Sequence, residues 1–208
     1  MSNLINEIQE KITDKNYSAI DLLRGAKILA SKLELKDMNE WIEYELDGYP
    51  LDAKLPTYRK NVPAQIIYLN PYLGWKPVVI EEEKTADLLE NLDVRFSMSE
   101  IETIANRQEE SVTFNLPTSI SNTLRKHTNM NTKLARQTSQ IYFTKIIDSV
   151  KTKLLDWILM LDENGVIGED MSFLTTEKKK AKEPSKKIIN NTYAGDKNKF
   201  NIKQSEKD

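Results

Sequence analysis

The sequence predicts an α+β fold: N-terminal helices with a helical hairpin, a small and mostly antiparallel sheet, a long late helix that closes the core, and a short β-like C-terminal tail. Three observations predict it. Leu22, Ala26, Leu29 and Leu33 recur at spacings of four, three and four, which puts them on one helical face. Phe143, Ile147, Val150, Leu154, Trp157 and Leu161 repeat that spacing across nearly three heptads. Between these runs, Val112, Phe114 and Leu116 alternate with polar residues, the period of a half-buried strand.

Taken in order, Leu4, Ile5, Ile8 and Ile12 form a short amphipathic helix that breaks at Asp14 to Asn16. The hairpin follows. Ser18 is placed to cap its first helix, with Asp21 three residues on as a short-armed capping box. Its second helix carries Met38, Trp41, Ile42 and Leu46, and Gly48 then offers a left-handed stop before Tyr49-Pro50. If the two helices run antiparallel, facing residue numbers sum to about 71 on this geometry. Ile- and Tyr-rich Ala64 to Leu69 reads as a strand, Asn70-Pro71 and Leu73-Gly74 as a turn, and Trp75 to Ile80 as an edge strand bearing Pro77. A short helix is expected from Glu81 to Leu92 and a strand over Val94, Phe96 and Met98. Ser99 and Glu102 fit a capping box before Ile101, Ile104 and Ala105, and Pro117 opens a helical turn with Ile120 and Leu124. Arg125 to Arg136 reads as a polar loop. The heptad run follows and ends at Asn164-Gly165. Leu155 and Ile158 widen its stripe, which suits packing on a core, while a dimer seam is the alternative.

The 208 residues allow one globular domain plus appendages, divided as 1–174 for the domain, 175–187 for a Lys-rich flexible linker and 188–208 for a short hairpin-like or disordered tail. The linker stretch EKKKAKEPSKK has six lysines against two glutamates. Net charge is −2, so no global field draws the protein to nucleic acid. There is no cysteine, which excludes disulfides, thiolate metal sites and cysteine nucleophiles, and the single His127 excludes a multi-histidine site. No metal or cofactor is expected. The N-terminus lacks the pattern of a secretion signal, and no apolar run approaches a membrane span, so a cytoplasmic protein with no membrane contact is expected.

Three groups of residues are candidates for function. Arg125, Lys126, His127, Lys133 and Arg136 form a basic stretch without an acid, either an anion or nucleic-acid patch or a solvated loop. Arg24, Glu45, Asp47 and Arg59 are candidates for an ion cluster, because the carboxylates at the end of the second hairpin helix oppose its dipole and an arginine would offset them. That cluster reads as structural or as a functional carboxylate site. Ile189, Tyr193, Phe200 and Ile202 are candidates for tail or oligomer contacts, since a two-stranded hairpin needs a surface to dock on. No P-loop, dinucleotide glycine pattern, nucleophile elbow or HExxH motif occurs.

The stretch LLRGAKILASKLELKDMNEWIEYELDGYP resembles the opening of the AbiTii domain, with its leucine-rich helix, tryptophan-bearing helix and glycine-tyrosine stop. LPTYRK resembles the extended element that follows, IIDSVKTKLLDWILMLDE resembles the late helix, and KIINNTYAG resembles tails seen after this domain. Where the family tends to have arginine-asparagine before the leucine pair of the late helix, this chain has Lys151-Thr152-Lys153. The resemblance implies a role in bacterial abortive infection, in which infected cells arrest or die, and carries over no catalytic residues. Two functions are then expected as alternatives. The first is a non-enzymatic interaction, sensing and oligomerising module, with a protein partner or a second copy. The second is a toxic effector acting on RNA or nucleotides through 125–136. Nucleic-acid binding through the lysine linker ranks behind both.

Overall fold

The computed structural model describes residues 4–14, 17–80, 86, 89–128, 132–168 and 172–194. The chain divides into two compact units. One comprises Met1–Thr57, Arg95–Ser99 and Ile147–Asp208, the other Tyr58–Val94 and Glu100–Ile146. The fold is α+β, as the sequence predicts.

The first unit is helical. It contains α1 (Leu4–Thr13), α2 (Ala19–Lys32), α3 (Lys36–Asp47), the last two-thirds of a long helix, and a C-terminal helix. Ser18 caps α2 as expected: its Oγ accepts from the Asp21 N–H at 3.1 Å and donates to Asp21 Oδ2 at 2.9 Å. The α2–α3 hairpin is antiparallel in the expected register. Lys27 pairs with Glu43 at 3.1 Å and Ser31 donates to Asn39 at 3.1 Å. Both pairs sum to within one of the expected value. Glu34, at φ 59, closes α2, with the Leu35 N–H reaching Ala30 O and the Glu34 N–H reaching Ser31 O. That pattern is a Schellman stop made without glycine.

Gly48 ends α3 at φ 96 and ψ 160, an extended conformation of the glycine-only kind rather than the expected left-handed helical stop. This geometry lays the chain against Arg95 to Ser97. The Tyr49 N–H donates to Arg95 O at 2.8 Å, and the Arg95 guanidinium bonds back to Pro50 O and Ala53 O.

Among the described residues, α3 is followed by α4 (Met98–Ala105), α5 (Thr118–Thr128) and α6 (Ile141–Glu163). Within the helical unit, α6 buries Val150, Leu154, Trp157, Ile158 and Leu161. Trp157 is 0% and Trp41 1% exposed, so the early hairpin and the late helix contribute their largest side chains to the core of the same unit. Gly165, at φ 67, closes α6 with a second Schellman pair, Gly165 N–H to Asp162 O and Val166 N–H to Leu161 O.

The expected flexible linker and the first part of the expected hairpin instead form one helix, α7 (Thr175–Ala194). Its inner face is Ala181, Pro184, Ser185, Ile188 and Thr192, all buried, while the lysines between them face outward. The stripe has helical spacing but is built largely of small or polar side chains, so it carries little hydropathy signal. Ser185 and Thr192 turn their hydroxyls onto the helix's own carbonyls, at Ala181 O and Ile188 O. Glu177 fixes the start of α7. Its carboxylate accepts from the Leu174, Ile167 and Gly168 N–H groups at 2.7, 2.9 and 3.0 Å. Burial alone would raise its pKa, but these backbone donors outweigh that and hold it below 4.5. Residues 195–208, including Phe200 and Ile202, lie outside the described residues.

The second unit holds an antiparallel sheet of β1 (Val62–Asn70), β2 (Gly74–Pro77), β3 (Asn91–Leu92), β4 (Ser111–Asn115) and β5 (Leu134–Ser139). The order is β2-β1-β5-β4, with β3 pairing the start of β1. The central strand β5 lies where a loop was expected, in the stretch Arg125 to Arg136. LARQTS has only two apolar residues, and they are adjacent, so no alternation marks it. Val94 to Ser97 is irregular rather than a strand, and Met98 opens α4. The short helix expected over Glu81 to Leu92 falls largely outside the described residues, and Leu92 itself belongs to β3. One face of the sheet packs Ile66, Leu116 and Leu134 with Val78, Leu89 and Leu124. Phe114 on the same face meets Phe143 of α6 at 6.2 Å between ring centres. Among the described residues, no helix is long and apolar enough to cross a membrane.

Candidate functional site

The spacing of α3 puts Met38, Trp41, Ile42 and residue 45 on one face. The fourth member is a carboxylate. Glu45 is 0% exposed, and Leu46, expected in the stripe, is only half-buried. A buried carboxylate needs hydrogen-bond donors. Tyr49, one turn on and just past Gly48, donates its hydroxyl to Glu45 Oε1 at 2.7 Å. Tyr193, near the end of α7, is hydrogen-bonded to Tyr49 in turn. Thr57 adds a hydroxyl to Thr192 O at 3.4 Å. A chain of polar contacts therefore runs from the core of the helical unit to the last turn of α7.

That last turn opens on a surface cleft of about 590 Å³ lined by Ile189, Asn190, Tyr193 and Ala194 of α7, Glu40 and Tyr44 of α3, and Asp52 to Lys54. Lys54 sits over the Tyr193 ring at 5.4 Å, and Tyr44 packs against Tyr49 at 5.3 Å between ring centres. Tyr44 also donates to Glu40 at 3.1 Å, which raises its pKa. Burial pushes the Tyr193 hydroxyl up to about 12; the Glu45 and Glu40 carboxylates add to this, while the hydrogen bond with Tyr49 opposes it. The arrangement joins two candidate groups that the sequence left separate, Glu45 and the Ile189–Tyr193 pair. Tyr49, Tyr44 and Lys54 were not singled out from sequence. The glycine-tyrosine stop after α3 was visible, but nothing in one sequence ties it to residue 193.

The sign of the pH dependence follows. A folded-state pKa above the ordinary tyrosine value of 10.0 means that the unfolded chain loses its proton first as pH rises. The stability contributed by neutral Tyr193 is complete below pH 10 and falls between there and about 12. Urea midpoints measured across that range should fall more steeply for the wild type than for Tyr193→Phe.

Arg24 is exposed and reaches Asp21, one turn back on α2, at 3.5 Å. Asp47 is exposed. Arg59 is 0% exposed in the sheet unit, where it donates to Val94 O at 3.2 Å and its own carbonyl accepts from the Val94 N–H.

Among the described residues of the basic stretch, Arg136 and Lys133 lie on opposite faces of the sheet. Arg136 faces the apolar side of the sheet, paired with Ile66 on β1 and Phe114 on β4. Its Nε is buried without a hydrogen-bond partner among the described residues, and burial lowers its pKa. Lys133 lies on the opposite face, its Nζ 6.0 Å from the Trp75 ring centre. Exposed Arg125, on α5, donates to Thr132 O at 3.2 Å and so stays beside Lys133. Lys126 and His127 are in α5, and their side chains lie outside the description.

Helical hairpin, antiparallel sheet, long helix and a polar latch on α7 define an α+β protein with a cleft framed by the end of α7. The AbiTii family model matches residues 3–186, most of the chain, and the chain belongs to that family. The match takes in much of α7. Membership implies a role in abortive infection, an antiviral defence. No curated protein and no solved structure matches the chain.

Proposed function

We propose that this chain is the non-enzymatic interaction and sensing module of an abortive-infection system, acting in the cytoplasm, and that a protein partner or a second copy is read at the cleft where α7 ends. The observation that carries this reading is the Glu45–Tyr49–Tyr193 connection, which couples the cleft wall to a buried carboxylate. A partner that shifts Tyr193 alters a hydrogen bond in the core, and that is how surface contact becomes a change of state. The lining suits a protein contact: two tyrosines and an isoleucine beside Glu40, Asp52 and Lys54.

Light scattering of the full chain tests self-association, with an expected mass above the 24.0 kDa of one chain. Ile189→Asp places a charge in the cleft wall and is expected to restore the monomer mass, with helix content unchanged. A monomer in both cases counts against assembly. Point variants are preferable to ending the chain at Leu174, because α7 contributes buried side chains to its unit.

The toxic-effector reading is favoured by a different observation, the proximity of Arg125 and Lys133 beside the end of α5. Induction of wild type and of an Arg125→Ala, Lys133→Ala double variant separates it. Equal growth arrest by both, or by neither, removes that site as the toxic centre.

A further inference from the structure

The sheet unit segregates charge in a chain whose net charge is only −2. From Ala53 through Ile80, and again from Ser111 through Ile147, there is no aspartate or glutamate. The two stretches carry four and five lysines or arginines, of which Lys54 belongs to the helical unit and Arg59 is buried, and they supply every strand of the β2-β1-β5-β4 path. The face of the sheet opposite its apolar core has exposed Gln65, Thr113 and Asn115 beside buried Ile67 and Ala135, with Gln137 joined to Gln65 and Ser111 at 2.9 Å each. At one end, the β1–β2 turn projects Tyr72, 94% exposed, and Leu73, 67% exposed. Asn70 Oδ1 accepts from both of their N–H groups and fixes the turn. Trp75 stands on the sheet face just past it, 38% exposed, with Lys133 against its ring. Thr132 ties this corner together by donating to Leu69 O, while accepting from Arg125.

We propose that this face binds single-stranded nucleic acid, with Trp75 and Tyr72 as stacking platforms and Lys133 and Arg125 holding the phosphates. The inference rests on the interaction-module reading and names a second class of partner for it. Unstacked bases offer π faces to exposed aromatic rings, and phosphates need cations; the strands that form this corner come from stretches without a carboxylate. The amide and hydroxyl side chains of the face suit base edges. They also disfavour a lipid surface, where such groups would lose water without gaining partners. A duplex keeps its bases stacked inside and would leave Tyr72 and Trp75 unused.

The chain reports on its own binding. Of its three tryptophans, Trp41 and Trp157 are 1% and 0% exposed, so stacking on the sheet face alters Trp75 emission. Full-length protein is titrated with a single-stranded oligouridylate of about 15 nucleotides, a length matched to such platforms. Tryptophan quenching is followed, and anisotropy of the labelled strand gives affinity. The expected result is saturable quenching, about tenfold weaker binding for Trp75→Ala and Lys133→Glu, and near-complete retention by Trp75→Phe and Lys133→Arg. A salt slope of log K of about −1.4 is expected if Lys133 and Arg125 neutralise about two phosphates. No quenching by the wild type overturns the proposal without reference to any variant. Equal affinity for all variants overturns it too, and moves the binding to the lysines of α7. Capture by anionic phosphatidylserine vesicles with no response to RNA replaces it with a membrane surface. Any of these failures leaves the assembly measurement on Ile189→Asp unaffected, because that residue belongs to the helical unit.

Discussion

Trp157→Ala should lower the melting temperature by roughly 6–20 °C, because losing a buried tryptophan costs about 3–5 kcal/mol and each kcal/mol shifts a chain of this size by about 2–4 °C. The side chain is 0% exposed, and its Nε1–H donates to Ser185 Oγ at 2.8 Å. Ser185 donates its own hydroxyl to Ala181 O at 2.7 Å, so the tryptophan anchors α6 to α7 through a satisfied polar contact as well as by area. Ser185→Ala isolates the polar part: it strands a buried indole N–H and should cost about 1–3 kcal/mol. Trp75→Ala, on the exposed face, is the control and should move the midpoint little. Thermal melts followed by circular dichroism decide the matter. Equal shifts for Trp157→Ala and Trp75→Ala would place Trp157 outside the core.

Gly48→Ala should destabilise by about 2–4 kcal/mol, combining a backbone conformation open to glycine alone with a steric conflict. A Cβ at this position would meet Arg95 O at 2.9 Å and Ser97 N at 3.2 Å. Both are backbone atoms, which cannot swing aside as a flexible side chain would. The same turn delivers Tyr49 to Glu45, so the variant should also disturb the tyrosine relay. Gly25→Ala is the matched control, since nothing lies within 4 Å of a Cβ there and alanine favours a helix. Urea denaturation should show opposite changes for the two substitutions. Parallel changes would mean that Gly48 is not held in this conformation.

The parts of the fold that were legible in the sequence are those whose buried side chains are large and regularly spaced. Leu22 to Leu33, Trp41, Phe143 to Leu161 and Val112 to Leu116 announce their elements by period alone. The antiparallel register of α2 and α3 followed from the short turn between them and is met by the Lys27–Glu43 and Ser31–Asn39 pairs. What escaped was built from quieter residues. Helix α7 buries Ala181, Ser185 and Thr192 behind a lysine-rich exterior, so composition suggested a linker where packing makes a helix. Strand β5 is paired on both sides by β1 and β4, and its order comes from those ladders rather than from its own side chains. The same holds for the cleft. Glu45 was grouped with the carboxylates that oppose the α3 dipole; its donor Tyr49 is four residues on, but the link from Tyr49 to Tyr193 depends on where α7 ends, and that distance in sequence hides the contact.

The most direct test of the central claim, that contact at the α7 cleft is how this chain takes part in defence, is phage challenge of cells expressing it with its genomic neighbours. Wild type, Tyr193→Ala, Ile189→Asp and the exposed-face control Lys187→Ala should be compared at matched protein levels. The expected result is protection by the wild type and by Lys187→Ala, and loss of protection by the two cleft variants while their melting curves still show a folded chain. Full protection by both cleft variants would contradict the claim and leave the cleft a structural seam.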